Sequence, residues 1–209
     1  MLLESFMLLR QTSFGIIRNR TCDNETWRGG KRMDKQTIMR KAISDALERL
    51  LTKAASIQDI TVQDILDECG LSRPTFYRYF SDKYDVINWS YTYHVEELTG
   101  LYNGTSSDEE MLRGFISFFY NRRDYFPKVM EYLGQNSFYD HYYAGLIRWY
   151  TTMRSVNEKD LTPEERYMLM FCAGGTSEVL QQWLNKGCRE SPETIFEVLK
   201  DRVPAVTIF

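Results

Sequence analysis

The 209-residue chain has little of what marks a membrane protein, a disulfide-bonded secreted protein or a protein that coats nucleic acid. No apolar run approaches the roughly 20 residues that a membrane-spanning helix needs, so we expect no membrane association. The four cysteines, Cys22, Cys69, Cys172 and Cys188, are scattered without a paired spacing, which favours free thiols in a reducing cytoplasm. A formal net charge of −3 argues against nucleic-acid binding through bulk positive charge, but allows a local basic face.

Motifs for catalysis, metal binding and nucleotide binding are also missing. The two histidines, His94 and His141, have no motif partner, and the sequence has no nucleophile elbow, metal-ligand cluster or phosphate loop. Asp140-His141 lies among tyrosines, but a partly buried histidine bonded to a tyrosine is commoner than a catalytic site. We therefore expect a binding protein with no catalytic residue, no metal and no cofactor. An enzyme that uses the aromatic region around His141 stays a remote alternative.

Residues 1–32 differ in pattern from the rest of the chain. Their short apolar patches are broken by charged residues such as Glu4 and Arg18, and the order of charged and apolar segments is wrong for a signal peptide. Regular helical spacing begins at Asp34, directly after Met33. We expect residues 1–32 to be a disordered leader upstream of a natural start at Met33. An N-terminal arm that contacts DNA or a partner is the alternative.

Residues 34–53 are predicted to form a helix, because their apolar residues recur at helical spacing. A second, shorter helix is expected to begin after Thr61, whose hydroxyl is a good N-cap. Gly70 then supplies the positive φ that a tight turn between helices requires. Ser72 is expected to cap a third helix, with Pro74 in its first turn, where a missing N–H group costs nothing. This order of elements is a helix-turn-helix.

The third helix is predicted to bury one side and expose the other. Phe76 and Phe80 are four residues apart and share the side that faces the core. The side chains left nearer the surface are Arg73, Thr75, Tyr77, Arg78 and Tyr79. Ser81 is expected to cap the next helix, and Lys83 in its first turn opposes the helix dipole unless an anion also binds there. A DNA phosphate would account for Lys83; the alternative is that Tyr77 and Tyr79 are core aromatics and Lys83 is solvated.

The residue types and spacings of this helix-turn-helix form a specific pattern. The residues that carry it are Thr61, Ile65, Gly70, Leu71, Ser72, Thr75, Phe76, Tyr77, Tyr79, Phe80 and Lys83. On these residues, the segment from 34 to 87 resembles the DNA-binding domain of TetR-family transcriptional regulators. One departure is Pro74, where many members of the family have a small residue; it stiffens the front of the recognition helix.

The resemblance implies a DNA-binding site within this unit. The residues that it assigns to DNA binding are Thr61, Ser72, Arg73, Pro74, Thr75, Tyr77, Arg78, Tyr79 and Lys83. Of these, the side chains expected to contact phosphates are Thr61, Ser72, Tyr77, Tyr79 and Lys83. The residues expected nearest to base edges are Arg73, Pro74 and Thr75.

The remainder of the chain predicts further helices and no sheet. Helix starts are indicated at Ser107, Thr162 and Ser191, and Gly187 marks a helix end. The expected fold class is therefore all-α. It comprises a helix-turn-helix domain in residues 33–81 and a larger helical domain for effector binding and dimerisation in residues 82–209.

The resemblance further implies a regulator that binds double-stranded operator DNA as a homodimer. A repressor released by a small apolar or aromatic effector is the expected mechanism. A regulator without a small-molecule pocket, controlled by a partner protein or acting as an activator, is the alternative. The candidate residues for the effector pocket are Trp89, Tyr93, Phe115, Phe119, Tyr125, Phe126, Met130, Phe138, Tyr142 and Trp149. The competing interpretation is that these side chains interdigitate and leave no cavity.

The expected dimer interface lies in the last two helices. Two adjacent glycines inside a helix cost about 1 kcal/mol each relative to alanine, which favours a close approach of backbones there. The stretch from Phe171 to Pro192 also resembles the C-terminal helices of one TetR subgroup. In the family these helices commonly form a four-helix bundle with the partner subunit. The candidate interface residues are Phe171, Gly174, Gly175, Val179, Trp183, Ile195 and Leu199.

Overall fold

In the computed structural model, residues 27–28, 31–101, 107–153 and 158–202 are described, and most of them are helical. The α-helices in these ranges are α1 (Lys35–Lys53), α2 (Val62–Cys69), α3 (Arg73–Tyr79), α4 (Lys83–Leu101), α5 (Asp108–Asn121), α6 (Phe126–Met130), α7 (Phe138–Met153), α8 (Pro163–Asn185) and α9 (Pro192–Leu199). Short 3-10 helices cover Ile57–Asp59 and Glu158–Asp160. The all-α fold class expected from the sequence is confirmed.

The other regular structure in the described residues is one pair of two-residue strands. β1 (Trp27–Arg28) pairs antiparallel with β2 (Lys31–Arg32), in a register that places Trp27 opposite Arg32. The pair belongs to a separate unit, Met1–Asp34. Apart from these four residues, the predicted leader in residues 1–32 lies outside the described residues, and its expected disorder stays a prediction.

Local signals in the sequence account for most helix ends. Thr61, Ser107 and Thr162 each accept a hydrogen bond from the backbone N–H three residues later, while the acidic side chain of that residue bonds back to the cap amide. Gly70 ends α2 with a φ of 68°, and Gly187 follows α8 with a φ of 74°. These left-handed conformations suit glycine, which has no Cβ to clash.

One predicted cap is wrong. Ser81 was expected to cap α4, but the carboxylate of Asp82 accepts the bond from the backbone N–H of Asp85, at 2.8 Å. The Asp85 carboxylate in turn accepts the backbone N–H of Ser81 at 2.9 Å and its hydroxyl at 3.2 Å. The two acids thus share the cap, because the helix begins one residue later than a serine cap would place it.

The hydrophobic core is continuous through the unit Lys35–Phe209. α1 packs against α2, α3 and α4; α4 packs against α5 and α7; α8 packs against α6 and α7; and α9 packs against α5. Buried residues from Ile43 in α1 to Leu199 in α9 belong to one cluster. The predicted domain boundary after residue 81 is therefore bridged by α4, which contacts helices on both sides of it.

Two findings concern the composition of this unit. Within the described residues, no helix is both long enough and apolar enough to cross a membrane. The cysteines in the described ranges, Cys69, Cys172 and Cys188, form no disulfide.

Candidate nucleic-acid interface

The packing of α2 and α3 onto α1 sets which side of α3 faces outward. Phe76 and Phe80 are buried, as their spacing predicted, and their rings lie 6.1 Å apart. On α2, Ile65 and Leu66 are buried in the same core. Because both flanking helices anchor it in this way, α3 is held with one fixed face toward solvent.

That outward face is basic and aromatic. Arg73, Pro74 and Arg78 are exposed, and 52% of the Tyr77 side chain is accessible. The sequence of α3, RPTFYRY, contains two arginines and no acidic residue. A short helix of this composition can offer guanidinium donors to base edges and phosphates. The alternative in which Tyr77 is a core aromatic is wrong, whereas Tyr79 is half-buried against the core.

The hydroxyls at the helix starts have local partners. The Thr61 hydroxyl donates to the Asp64 carboxylate at 2.6 Å, and the same carboxylate accepts the Thr61 backbone N–H at 2.7 Å. These bonds lower the pKa of Asp64. The Ser72 and Thr75 hydroxyls lie 2.9 Å apart and share a hydrogen bond, so Ser72 occupies the cap position without a side-chain bond to the helix backbone.

Lys83 does not point where the sequence indicated. Its ammonium turns inward and donates to the carbonyls of Ile57 at 2.8 Å, Gln58 at 3.3 Å and Ile60 at 2.5 Å. Three carbonyls match the three N–H donors of a lysine. Burial lowers the pKa of Lys83, while three neighbouring aspartates act in the opposite direction.

This carbonyl site accounts for the position of Lys83 in the first turn of a helix, and the predicted phosphate contact stays a prediction. The lysine ties the start of α4 to the segment before α2. It acts as an internal strut of the helix-turn-helix. Of the residues predicted to contact DNA, the structure brings together Arg73, Pro74, Thr75, Tyr77 and Arg78 on one outward surface.

The predicted effector pocket is filled by its own side chains. Phe115, Phe119, Phe126, Met130, Phe138 and Tyr142 are all buried. The Phe119 and Phe126 rings lie 4.4 Å apart, and the Phe138 and Tyr142 rings stack at 6.0 Å. Burial raises the pKa of Tyr142 well above its usual value.

Three other candidates for the effector pocket lie at the periphery of this aromatic cluster. Trp149 stacks on Phe115 at 5.9 Å. Trp89 stacks on Tyr93 and places its ring 5.9 Å from that of Phe80, next to the helix-turn-helix.

A small cavity lies near this aromatic cluster. Its volume is about 10 Å³. It is lined by Ile87, Tyr91, Phe118, Tyr125 and Phe126 and by four polar or charged residues. This volume holds about one water molecule. The rings of these candidates pack against one another, as the competing interpretation expects, and a cavity of this size does not hold an effector.

The surface of α8 is apolar where a partner could approach. Tyr167, Met170 and Phe171 are exposed, with 72% and 77% of the tyrosine and phenylalanine side chains accessible. Gly174 and Gly175 continue this face one turn later, and a Cβ added to either would meet no atom within 4 Å. Exposed apolar side chains that cluster on one helix are typical of an interaction surface.

Three of the predicted interface residues point into the core of the chain, away from the exposed face of α8. Trp183, Ile195 and Leu199 are buried inside the chain. The Trp183 indole stacks on Tyr120 at 5.8 Å, and its N–H donates to the Glu190 carbonyl at 2.9 Å. Their side chains therefore contribute to the core. Tyr167 and Met170, which the sequence did not single out, take their place on the surface.

The neighbourhood of His141 lacks an activated nucleophile. Its Nε2 lies 2.8 Å from the Thr92 hydroxyl, which donates its single proton to the Asn88 carbonyl at 3.0 Å. Asp140 accepts the Ser137 hydroxyl at 2.7 Å at the start of α7. Burial lowers the pKa of His141, and Arg148 lowers it further. The predicted tyrosine partner is thus a threonine, and this geometry gives the enzyme alternative no support.

Comparisons with known proteins agree with this architecture. Residues 46–88 match the family model described as bacterial regulatory proteins, tetR family, and residues 108–203 match the model of a transcriptional regulator C-terminal region. A search of curated proteins gives no match.

Solved structures with a similar fold include three regulators. The dihydroxyacetone kinase operon activator DhaS has 18% identity and a TM-score of 0.59, over 83% of this chain and 98% of that one. A TetR transcriptional regulator from Streptococcus agalactiae 2603V has 20% identity and a TM-score of 0.58, over 82% and 95%. A TetR-family regulator from Syntrophomonas wolfei has 16% identity and a TM-score of 0.53, over 84% and 98%.

The two family models cover both the helix-turn-helix and the helices that follow it. The first includes the outward face of α3, and the second includes the apolar surface of α8. The chain belongs to the TetR family of bacterial transcriptional regulators and is a DNA-binding regulator.

Proposed function

We propose that the protein is a homodimeric repressor that reads operator DNA by inserting α3 into the major groove. The observation that carries this proposal is the outward face of α3, where Arg73, Tyr77 and Arg78 are presented by a helix whose opposite side is buried. An α-helix fits the major groove, and arginine is the commonest side chain to read guanine there. Arg73 and Thr75 face base edges in this arrangement, and Arg78 and Tyr77 contact phosphates.

The other predicted contacts have supporting roles. The backbone N–H groups at the N-termini of α2 and α4, next to Thr61 and Lys83, favour binding of an anion such as a DNA phosphate. Lys83 and the hydroxyls of Thr61 and Ser72 hold the unit in shape through the bonds described above. Tyr79, whose ring is half-buried, contributes only the exposed edge of that ring to the DNA-binding surface.

Dimerisation through α8 follows from its exposed apolar face. Tyr167, Met170 and Phe171 are removed from water when a second copy packs there, and burial of apolar surface stabilises by about 25 cal/mol per Å². Gly174 and Gly175 allow the two backbones to approach closely. A symmetric dimer presents two α3 helices to half-sites about 34–36 Å apart or a multiple of this distance.

Effector control is the remaining element of the proposal. A ligand changes operator affinity by its differential affinity for the DNA-binding and released states. Since the central aromatic cluster is filled, the effector acts at another place on the chain, or a partner protein takes its role. DhaS is named an operon activator, so the same fold also accompanies activation. As a regulator of operator DNA, the protein works in the cytoplasm.

Selection of binding sites from random DNA tests the proposal. Full-length protein is mixed with a random duplex library, and bound fragments are recovered and sequenced. A symmetric dimer that inserts two α3 helices selects inverted repeats with a fixed half-site spacing. Recovery of single, unpaired half-sites would contradict dimeric reading, and recovery of unenriched sequence would contradict base reading. The double variant Arg73→Ala, Arg78→Ala is the control that should recover no enriched sequence.

A further inference from the structure

A polar groove opens beside the first turns of α4, away from the filled aromatic cluster. Its volume is about 400 Å³, within the usual range for small-molecule sites. Its walls are α4, the loop before α7 and the first turn of α7. The lining residues that matter here are Asp85, Asn88, Trp89, Thr92, Asn136 and His141.

The lining of the groove favours a ligand with positive charge. Asp85 contributes a carboxylate, and no lysine or arginine lies among the groove's lining residues. The Oδ1 atom of Asn88 is buried and has no hydrogen-bond partner, although its Nδ2 donates to the Asn136 carbonyl at 3.1 Å. Positions 85, 88 and 92 fall on one face of α4, because residues three and four apart are neighbours on a helix. An unpartnered acceptor one turn from a carboxylate is suited to an N–H donor that carries charge.

The same walls hold the helix-turn-helix against the rest of the chain. The side chain of Asn136 donates to Asp82 at 2.9 Å, and the Tyr132 ring stacks on the Tyr84 ring at 3.9 Å with an interplanar angle of 6°. Together with the Asn88–Asn136 bond, these contacts join the loop of residues 131–137 to the start of α4. We call this set of contacts the loop clasp. α4 begins four residues after α3 ends, so the loop clasp lies close to α3 along the chain.

We propose that this groove binds a small organic ammonium ion, whose N–H donors bond to the Asp85 carboxylate and to Asn88 Oδ1. The ligand then shares Asn88 with the loop clasp, since Asn88 accepts from the ligand through Oδ1 and donates to the Asn136 carbonyl through Nδ2. Ligand binding then changes the position of α3 relative to the dimer. This regulatory consequence rests on the proposed control of operator binding by an effector, whereas the binding itself does not.

Isothermal titration calorimetry of the full-length protein with 1,4-diaminobutane tests the proposal. The matched probe 1,4-butanediol has the same chain length and no charge. We expect a saturable heat with the diamine and none with the diol. Equal binding of the two probes, or no saturable heat with the diamine, would overturn the proposal.

Variants locate the site. Asn88→Ala removes the unpartnered acceptor together with the Asn88–Asn136 bond and leaves the α4 cap intact, and Asp85→Asn removes the charge. Each should weaken diamine binding by about tenfold or more, since the deleted bond is charge-assisted. Asp124→Asn is the matched control, because Asp124 is an exposed carboxylate outside the groove, and it should bind the diamine as the wild type does. Wild-type affinity in both groove variants would place the diamine elsewhere and overturn the assignment.

The same samples separate this inference from the proposed function. If the diamine fails to bind while the protein still binds its selected operator, the groove assignment is wrong and the DNA-binding proposal stands. If the diamine binds at the groove and operator affinity is unchanged, the site exists but the proposed effector control through it is refuted.

Discussion

Replacement of Lys83 by methionine separates the two roles that this lysine could have. Methionine keeps most of the length and the apolar stem of lysine but has no N–H donor. The substitution therefore leaves the carbonyls of Ile57, Gln58 and Ile60 without the ammonium that they share. Ile57 retains a bond from the Ile60 backbone N–H, so its carbonyl is not left without any donor.

The expected loss of unfolding free energy is about 1–2 kcal/mol. A hydrogen bond to a charged group contributes about 1.5–3 kcal/mol when well buried. Lys83 is only half-buried, and water can reach part of the site after the substitution, which places the loss at the lower end. For a chain of this size, each kcal/mol lowers the melting temperature by about 2–4 °C.

Urea unfolding followed by circular dichroism measures this loss, and titration of operator DNA at several salt concentrations measures the other role. An internal strut predicts lower stability and an unchanged slope of log affinity against log salt. A phosphate-binding role predicts unchanged stability and a slope reduced by about 0.9, because one phosphate is no longer neutralised. Lys186→Met, at an exposed position after α8, is the control that should alter neither quantity. Unchanged stability with a reduced slope would refute the strut.

Three further substitutions test other parts of the account. Gly175→Leu should give folded monomers in sedimentation velocity, because the added side chain fits the protomer but blocks the partner. The control Asp124→Leu should remain dimeric. A dimeric Gly175→Leu would exclude this face of α8 as the dimer interface. Phe119→Ala should lower the unfolding free energy by about 3–5 kcal/mol in urea unfolding, as for a filled core; a loss below about 1 kcal/mol would indicate a cavity. The lowered pKa of His141 means that its contribution to stability is complete above the unfolded value near 6.5 and is lost as the pH falls through 6.5 toward the folded value. Urea unfolding from pH 7.5 to 5.5 should therefore show a smaller decrease for His141→Gln than for the wild type, and equal decreases would exclude this role.

Local patterns predicted the helix-turn-helix well. The Thr61 cap, the left-handed Gly70 and the Phe76–Phe80 spacing depend on interactions within a few residues, and the structure shows each of them. The direction of the Lys83 side chain was not predictable in this way. Its carbonyl partners lie 23–26 residues earlier in the chain and come within reach only after α1, α2 and α4 have packed.

The interface on α8 was predicted only in part for a related reason. The helix is apolar around much of its circumference, so periodicity does not tell which side faces the core. Packing against α6 and α7, together with the stacking of Trp183 on Tyr120 of α5, buries one side of the helix and leaves Tyr167 and Phe171 exposed. The filled aromatic cluster was also undecidable from residue types, because the same rings can line a cavity or occupy it.

The polar groove was not predicted from the sequence, although two of its lining residues, Trp89 and His141, were considered there for other sites. Its walls come from α4 and from a loop about 50 residues later, and no motif links the two segments. The left-handed φ of 61° at Asn136 shapes the loop, and asparagine tolerates this conformation better than most residues.

Reading of bases by α3 is the central claim, and a titration of variant proteins against variant operators tests it most directly. Fluorescence anisotropy is measured for the wild type, Arg73→Ala and Arg78→Ala on the selected operator and on duplexes with each base pair of a half-site replaced in turn. Arg73→Ala should lose a penalty of about 1–3 kcal/mol at one position of each half-site and keep the others. Arg78→Ala should weaken binding to all duplexes alike. If Arg73→Ala kept the wild-type affinity and base preference on every duplex, α3 would not be the element that reads DNA.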